Sequence, residues 1–283
     1  MPPLTHPHQQ HDTLHLAAWN LNHRTGRKAI PPAVIHAIAA LDIDVLVLTE
    51  FVDGDHHARF KDSLKDIGFD SLAVSVKAPR QNQVLIAARS PLADDGLLPL
   101  PGHTEAATTN WLHRRLPALG FEIVGFRAPM YLDADDRTGY WRQVEDIARA
   151  ARNRHVIFLG DFRCDPHTQV RLGDALFPRL TADGYTLAQP KGDWSYHAGH
   201  GSAGGTRVDH ALASPALTLI DARYLYKAGR HTLAGTGTGH GNGHGNDHGE
   251  PLSDHALLSI RLQRPRQSAV FRSPAARPAL ATG

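Results

Sequence analysis

Two short, wholly apolar runs constrain this chain more than any other feature: Val45-Leu46-Val47-Leu48 and Val156-Ile157-Phe158-Leu159. Neither offers a polar face, and both are rich in β-branched side chains, so each reads as a strand covered on both sides. The surrounding pattern alternates between strand and helix signals. Leu14, Leu16 and Ala18 alternate into Asn20 and Asn22, a period-two strand. Pro31-Pro32 opens a helix whose inner face carries Val34, Ile35, Ile38 and Leu41. Phe60, Leu64 and Ile67 predict a second helix, ended by Gly68, and Tyr140, Val144, Ile147 and Ala151 a third, with Thr138 as its N-cap. Further strand signals cover 71–76, 84–88, 121–126, 207–212, 217–224 and 256–262. Strands outnumber helices, and many follow one another without a crossover helix. Mixed sheets with helices outside are therefore expected rather than a doubly wound parallel sheet.

The 283 residues allow about two domains by length alone, though α/β folds of this size often form one. With 41% apolar and 20% charged residues, a largely disordered chain is excluded. A net charge of +2 advertises no polyanionic partner by itself. One cysteine, Cys164, excludes an intramolecular disulfide framework and suits a reducing compartment. No apolar run approaches the roughly 18 residues that a membrane helix needs. Residues 1–12 are rich in His, Pro and Gln and hold no apolar signal core, so a cytoplasmic location without a membrane segment is expected. The expected organisation is a disordered lead over 1–13, one domain over 14–263, and a flexible basic tail over 264–283 with Arg264, Arg266, Arg272 and Arg277. No obligate protein partner is implied.

Twenty histidines invite a metal reading. His240, His244 and His248 stand in a glycine-rich loop over 233–250, and imidazole suits Zn, Cu or Ni. Such a coil preorganises no ligands, so a surface insertion is the expectation. No CxxC or neighbouring motif supports a reactive Cys164. Trp111, Tyr131, Tyr140, Trp141 and Trp194 are expected to serve the core more than to stack on bases.

The chemistry collects at strand ends. Glu50 follows the first apolar run, Asp161 follows the second after Gly160, and Asp254-His255 open the last strand. A carboxylate at the mouth of a buried strand can be held rigidly while facing a cleft. Asn20 and Asn22, two apart on a strand, are expected on one face, and amide and carboxylate oxygens suit Mg²⁺ or Mn²⁺. In TRVDHAL, Arg207 and Asp209 are expected to share a face opposite Val208 and Leu212. An acid there can orient a histidine from another strand.

Five motifs occur in order: WNLN at 19–22, LTE at 48–50, GDF at 160–162, TRVDHAL at 206–212 and SDH at 253–255. With them the chain resembles the endonuclease/exonuclease/phosphatase superfamily, over about residues 14–262. The resemblance implies the deoxyribonuclease I-like fold, an α/β four-layer sandwich of two packed mixed β-sheets flanked by helices. It implies that Glu50 is the principal metal carboxylate, with Asn20 close by and Asp254 beside the metal. Asn22 stands where some members carry an aspartate ligand. Asp161 would orient or deprotonate the attacking water, His255 would contact the scissile phosphate, and Asp209 would hold its ring. Mg²⁺ or Mn²⁺ would act as Lewis acid for in-line attack on phosphorus.

Three positions depart from the family pattern. GDFN reads GDFR, placing Arg163 where an asparagine is usual, and Arg127 stands where many members carry a phosphate-facing histidine or tyrosine. His210 replaces the tyrosine of RIDY-type motifs, a mild change. Both arginines are expected to clamp substrate phosphate together with Asn22, since a guanidinium binds two phosphate oxygens at once. The competing expectation for Arg163 is that it swings out to Asp165 or solvent. Three functions stay open: an endonuclease or phosphodiesterase acting on nucleic acid, the same chemistry on a small phosphate ester or lipid headgroup, and a catalytically silent binding module.

Overall fold

Both apolar runs form central strands of a layered domain. The computed structural model describes residues 12–22, 29–102, 104–130, 133–166, 176–197, 204–235 and 251–265. In chain order the elements are β1 (Thr13–Asn20), α1 (Pro32–Ala39), β2 (Val45–Phe51), α2 (Asp55–Asp66), β3 (Ser71–Val74) and β4 (Gln83–Ala88). Then come α3 (Glu105–Thr109), β5 (Trp111–Leu116), β6 (Phe121–Arg127), α4 (Ala134–Ala151), β7 (Val156–Asp161), α5 (Leu176–Ala182) and β8 (Thr186–Leu187). β9 (Asp209–Ala213), β10 (Leu219–Leu225), β11 (Lys227–Ala228), β12 (His231–Thr232) and β13 (Leu257–Gln263) complete the series.

Two mixed sheets result, in the orders β10-β13-β1-β2-β4-β3 and β5-β6-β7-β9-β8, with β11-β12 as a small ribbon. Each sheet holds one parallel pair with a helix in its crossover: β1 with β2 through α1, and β6 with β7 through α4. The remaining strand pairs are antiparallel. Leu16, Val45, Val47, Ile123, Ile157, Leu159 and Leu258 fill the space between the sheets. Trp19, Leu46 and Leu48 meet Ile35, Ile38 and Leu64 under α1 and α2. Phe126 and Phe158 meet Trp141 and Phe177 under α4 and α5. This is the expected four-layer sandwich. The sheets approach closely at Gly125, where an added Cβ would stand 2.7 Å from Val47 Cγ1.

Several local expectations are corrected. β1 is buried on both faces from Leu14 to Asn20, because helices cover one side and the second sheet the other. The N-cap of α4 is Asp133, whose carboxylate accepts from Asp136 N at 2.8 Å, while the Thr138 hydroxyl donates to Ala134 O at 2.8 Å within the helix. An aspartate caps as well as a threonine and adds charge suited to the positive helix end. Trp111, Tyr140 and Trp141 are buried core, as is Cys164. Leu233 and Ala234, expected to begin the histidine loop, are buried, and Ala234 bridges Ser253. His240, His244, His248, Tyr131 and the tail beyond 265 lie outside the described residues. Among the described residues, no helix is long and apolar enough to cross a membrane.

His210 is held between β7 and α5. Its Nε2–H donates to Cys164 O at 2.8 Å and Arg207 O at 3.0 Å, with Phe162 and Phe177 against the ring. Two carbonyl acceptors on one nitrogen assign the proton there. Burial lowers its pKa to about 4 against the pull of those carbonyls. The unfolded chain therefore takes up a proton, between its ordinary value of 6.5 and about 4, that the native state refuses. This stabilisation is complete above pH 6.5 and is lost as the pH falls through about 4. Its slope is up to about 1.4 kcal/mol per pH unit. The urea midpoint is expected to fall through this window, and less steeply in His210→Gln, which keeps a donor but does not titrate. His15 and His113, lowered by burial in the same way, leave a residual slope in the variant. Identical slopes in the two proteins would refute the assignment.

Candidate active site

Each parallel pair places two strand ends on one side of its sheet, and face-to-face packing brings the four ends together. β1 ends on Asn20, β2 carries Glu50 beside its last residue, β6 ends on Arg127 and β7 on Asp161. The antiparallel neighbours enter from the other direction: Asp209 opens β9 opposite Asp161, and His255 precedes β13 beside β1.

The backbone is bent to serve this cluster. The register of β2 shifts between Leu48 and Phe51, and Glu50 takes φ 57 within that bulge. Asn22 (φ 47) and Arg163 (φ 52) also adopt the left-handed conformation just past their strands. Of the four described non-glycine residues with positive φ, these are three, so the strain, about 1–3 kcal/mol each, concentrates at the site. Asn22 therefore does not share a strand face with Asn20. β1 has already ended, and the Asn22 N–H donates to Asn20 Oδ1 at 2.9 Å.

That bond fixes the Asn20 amide, whose Nδ2 donates to Glu50 Oε1 at 3.3 Å and Asp161 Oδ2 at 3.1 Å. Arg127 places Nη2 2.8 Å from Glu50 Oε1 and Nε 3.7 Å from Asp161 Oδ2. Arg163 makes the same two approaches at 3.4 and 3.5 Å, and its backbone N–H donates to Asp161 Oδ1 at 3.0 Å. It therefore turns inward, and Asp165 instead accepts from the Arg207 backbone N–H at 3.2 Å. Arg207 itself lies before β9 and donates to Gly192 O at 2.6 Å, away from the Asp209 carboxylate.

His255 forms the other half of the site. Its Nδ1 lies 2.8 Å from Asp209 Oδ2, and its Nε2 lies 3.9 Å from Asp254 Oδ1. Burial alone would lower the imidazole, but Asp209, with Asp161 and Asp254 near, carries its pKa up to about 9. Burial pushes the Asp209 carboxyl up. Three carboxylates face the ring, so we assign the shared proton to His255. Burial would also raise Asp161, yet Arg163, His255 and Arg127 together hold it below the usual carboxylate range.

The sequence reading missed the groups that position these side chains. Ser253 Oγ donates to Asn20 O at 2.7 Å and accepts from His255 N at 3.0 Å, stitching β1 to the approach of β13. Ser195 Oγ accepts from Asp209 N at 2.9 Å, Trp19 Nε1 donates to His255 O at 2.9 Å, and the Tyr196 ring lies 4.8 Å from that of His255. Ser253 and Trp19 stand inside quoted motifs and were open to notice; Ser195 and Tyr196 carry no local signal.

The donor set does not fit a hard divalent ion. Three N–H donors, from Arg127, Arg163 and Asn20, already converge on Glu50 Oε1. Asn20 turns its amide nitrogen, not its oxygen, toward the two acids. Among the described residues, no group of three or more His, Cys, Asp or Glu is placed to hold a metal. Two unit charges about 4 Å apart interact by ~4 kcal/mol at an effective dielectric of ~20, and a divalent ion doubles that repulsion for each guanidinium.

The sequence profile of the Endonuclease/Exonuclease/phosphatase family matches residues 17–255. No curated protein sequence matches the chain. The fold is similar to that of the 3′ phosphatase NExo from Neisseria bound to a product DNA hairpin, with TM-score 0.63 and 20% identity over 87% of this chain and 98% of that one. An endonuclease/exonuclease/phosphatase from Beutenbergia cavernae DSM 12333 gives 0.61 and 17% over 89% and 72%. Sphingomyelinase C from Streptomyces griseocarneus gives 0.57 and 15% over 88% and 99%. Likenesses at such identities show the fold.

Proposed function

The chain belongs to the Endonuclease/Exonuclease/phosphatase family, and on that premise we propose that it is a hydrolase of phosphodiester bonds with nucleic acid as its substrate. The family's hydrolases act on phosphate esters. The observation that carries the reading is the pairing of His255 with Asp209 at 2.8 Å, in one cluster with Asp161 and the two arginines. Asp161, held ionised, accepts a hydrogen bond from a water and orients it at phosphorus. The water oxygen bonds phosphorus, and the ester P–O bond breaks with its electron pair on the leaving oxygen. The proton the water releases through Asp161 balances the one the leaving oxygen takes up. The His255 imidazolium, aligned by Asp209, donates to a phosphate oxygen whose charge grows in the transition state.

Two features favour nucleic acid. Trp194, Tyr196 and His197 form a half-buried aromatic edge beside His255, with Trp194 and His197 rings 5.3 Å apart. Stacking on such an edge supplies about 1–3 kcal/mol per base. A protein of the same fold is bound to DNA. The sphingomyelinase of the same fold supports the alternative of a lipid headgroup or small ester. The family's enzymes generally use divalent metals; the competing reading, in which Mg²⁺ or Mn²⁺ binds Asn20, Glu50 and Asp254, requires both guanidiniums to leave Glu50 and the Asn20 amide to turn over.

Plasmid, abasic-site DNA, RNA and small phosphate esters, each with Mg²⁺, Mn²⁺ or chelator, form the test. Cleavage of at least one nucleic acid faster than any small ester is expected. Turnover confined to small esters would move the substrate to the alternative. No hydrolysis of any ester by folded protein would leave a silent binding module.

A further inference from the structure

We propose that Arg127 and Arg163 together take the place of a divalent cation, holding and neutralising the phosphate group without a metal ion. The inference rests on the phosphoesterase reading above, but concerns how charge is supplied rather than which ester is cut.

The geometry has three parts. First, both guanidiniums reach the same two oxygens, Glu50 Oε1 and Asp161 Oδ2, from two different strand ends. A bridging cation would do the same, and two guanidiniums carry the charge of one divalent ion. Unlike an amine, a guanidinium stays charged when buried and presents its donors in a planar fork. Second, the Nε atoms of Arg127 and Arg163 are buried and have no hydrogen-bond acceptor. Each is in ion-pair range of Asp161 Oδ2, at 3.7 and 3.5 Å, without forming a hydrogen bond to it. Buried donors are almost always satisfied, so an unmatched pair on adjacent cations marks a place for an incoming anion. Third, the inward course of Arg163 is built into the backbone. Its φ of 52 is unfavourable for a residue that carries a Cβ, and the bond from its N–H to Asp161 Oδ1 holds it there. Arginine at 163 is thus directed into the cluster rather than lying against it by chance.

The site also leaves little for a metal to add. Glu50 and Asp161 are already countered by two fixed positive charges, and His255 answers Asp209. An arriving phosphate meets these cations together with the carboxylates that pair them, so its binding rests on the unmatched guanidinium donors rather than on net positive charge.

The experiment uses the full chain, with inorganic phosphate as the probe for binding and Mn²⁺ as the probe for a metal site. Phosphate titration by calorimetry in chelator is expected to show binding that added Mg²⁺ changes by less than about twofold. Mn²⁺ titration by electron paramagnetic resonance is expected to show no site sensitive to Glu50→Gln. The double variant Arg127→Gln/Arg163→Gln is expected to bind phosphate at least about tenfold more weakly in chelator. If that variant does not fold, judged by near-ultraviolet circular dichroism, Arg127→Lys/Arg163→Lys keeps the charge and removes the fork, and weaker phosphate binding is still expected. A Glu50-dependent Mn²⁺ site in the wild-type protein, phosphate binding that requires metal, or unchanged phosphate affinity in the arginine variants would each overturn the proposal. Phosphate bound in chelator by a protein that hydrolyses no ester would sink the phosphoesterase reading and leave this one standing. Metal-dependent hydrolysis with a Glu50-dependent Mn²⁺ site would do the reverse.

Discussion

Replacing Asp161 by Asn, or His255 by Ala, is expected to lower turnover of a phosphate ester by about two to four orders of magnitude, the usual worth of a positioned acid–base group. The two changes act differently. Asp161→Asn sets an amide nitrogen either against the Arg163 N–H or against Asn20 Nδ2 and two guanidiniums, donor against donor, and removes the negative charge proposed to orient water. His255→Ala removes the proposed donor to phosphate and leaves Asp209 buried without its imidazole. Breaking a buried pair costs about 3–5 kcal/mol, so rates must be compared on protein shown to be folded. Asp209→Ala is expected to cost less, because the imidazole survives and only its orientation and charge suffer. Its signature is a pH profile: the alkaline fall in rate, expected near His255's value of about 9 in the wild-type protein, should move to lower pH. Wild-type rates in both Asp161→Asn and His255→Ala would discard the catalytic assignment.

Gly160→Ala is expected to destabilise the fold by about 3–5 kcal/mol, a large share of the 5–15 kcal/mol typical of a domain. Gly160 adopts φ 145, and an added Cβ would stand 2.1 Å from Phe126 O, inside the β6–β7 ladder. The colliding atom is backbone on a neighbouring central strand, so no side chain can swing aside. One strand must move, and the residue that moves with it is Asp161. Loss of stability and loss of turnover should therefore appear together. Urea unfolding measures the first; a midpoint close to that of the wild-type protein would show that β7 tolerates a side chain there.

The layers were legible because burial on both faces writes a continuous apolar run, as at 45–48 and 156–159. β5 was not, because Arg114 and Arg115 interrupt it and its buried His113 is satisfied by Leu98 N at 2.8 Å and Glu122 at 2.9 Å, partners distant in sequence. α3 and α5 are too short to show a helical period. At the site, strand-end acids were readable from their position. The inward turn of Arg163 was only one of two open expectations, because what decides it is a left-handed residue and Glu50, 113 positions away. Asn22 failed for the same reason: a period-two argument ends where the strand does.

The strand order of the first sheet has a consequence for a chain being synthesised. β13, the last strand among the described residues, lies between β10 and β1 rather than at an edge, and His255 stands just ahead of it. Until the ribosome has passed that point, β1 lacks one of its neighbours, Asn20 lacks the serine that ties its carbonyl, and Asp209 lacks its imidazole. A nascent chain can carry Glu50, Asp161 and Asp209 and still lack the imidazole that pairs with them. The cluster is thus completed in one late step, when β13 slots into the middle of a sheet begun some 240 residues earlier, a long-range closure of the kind that slows folding.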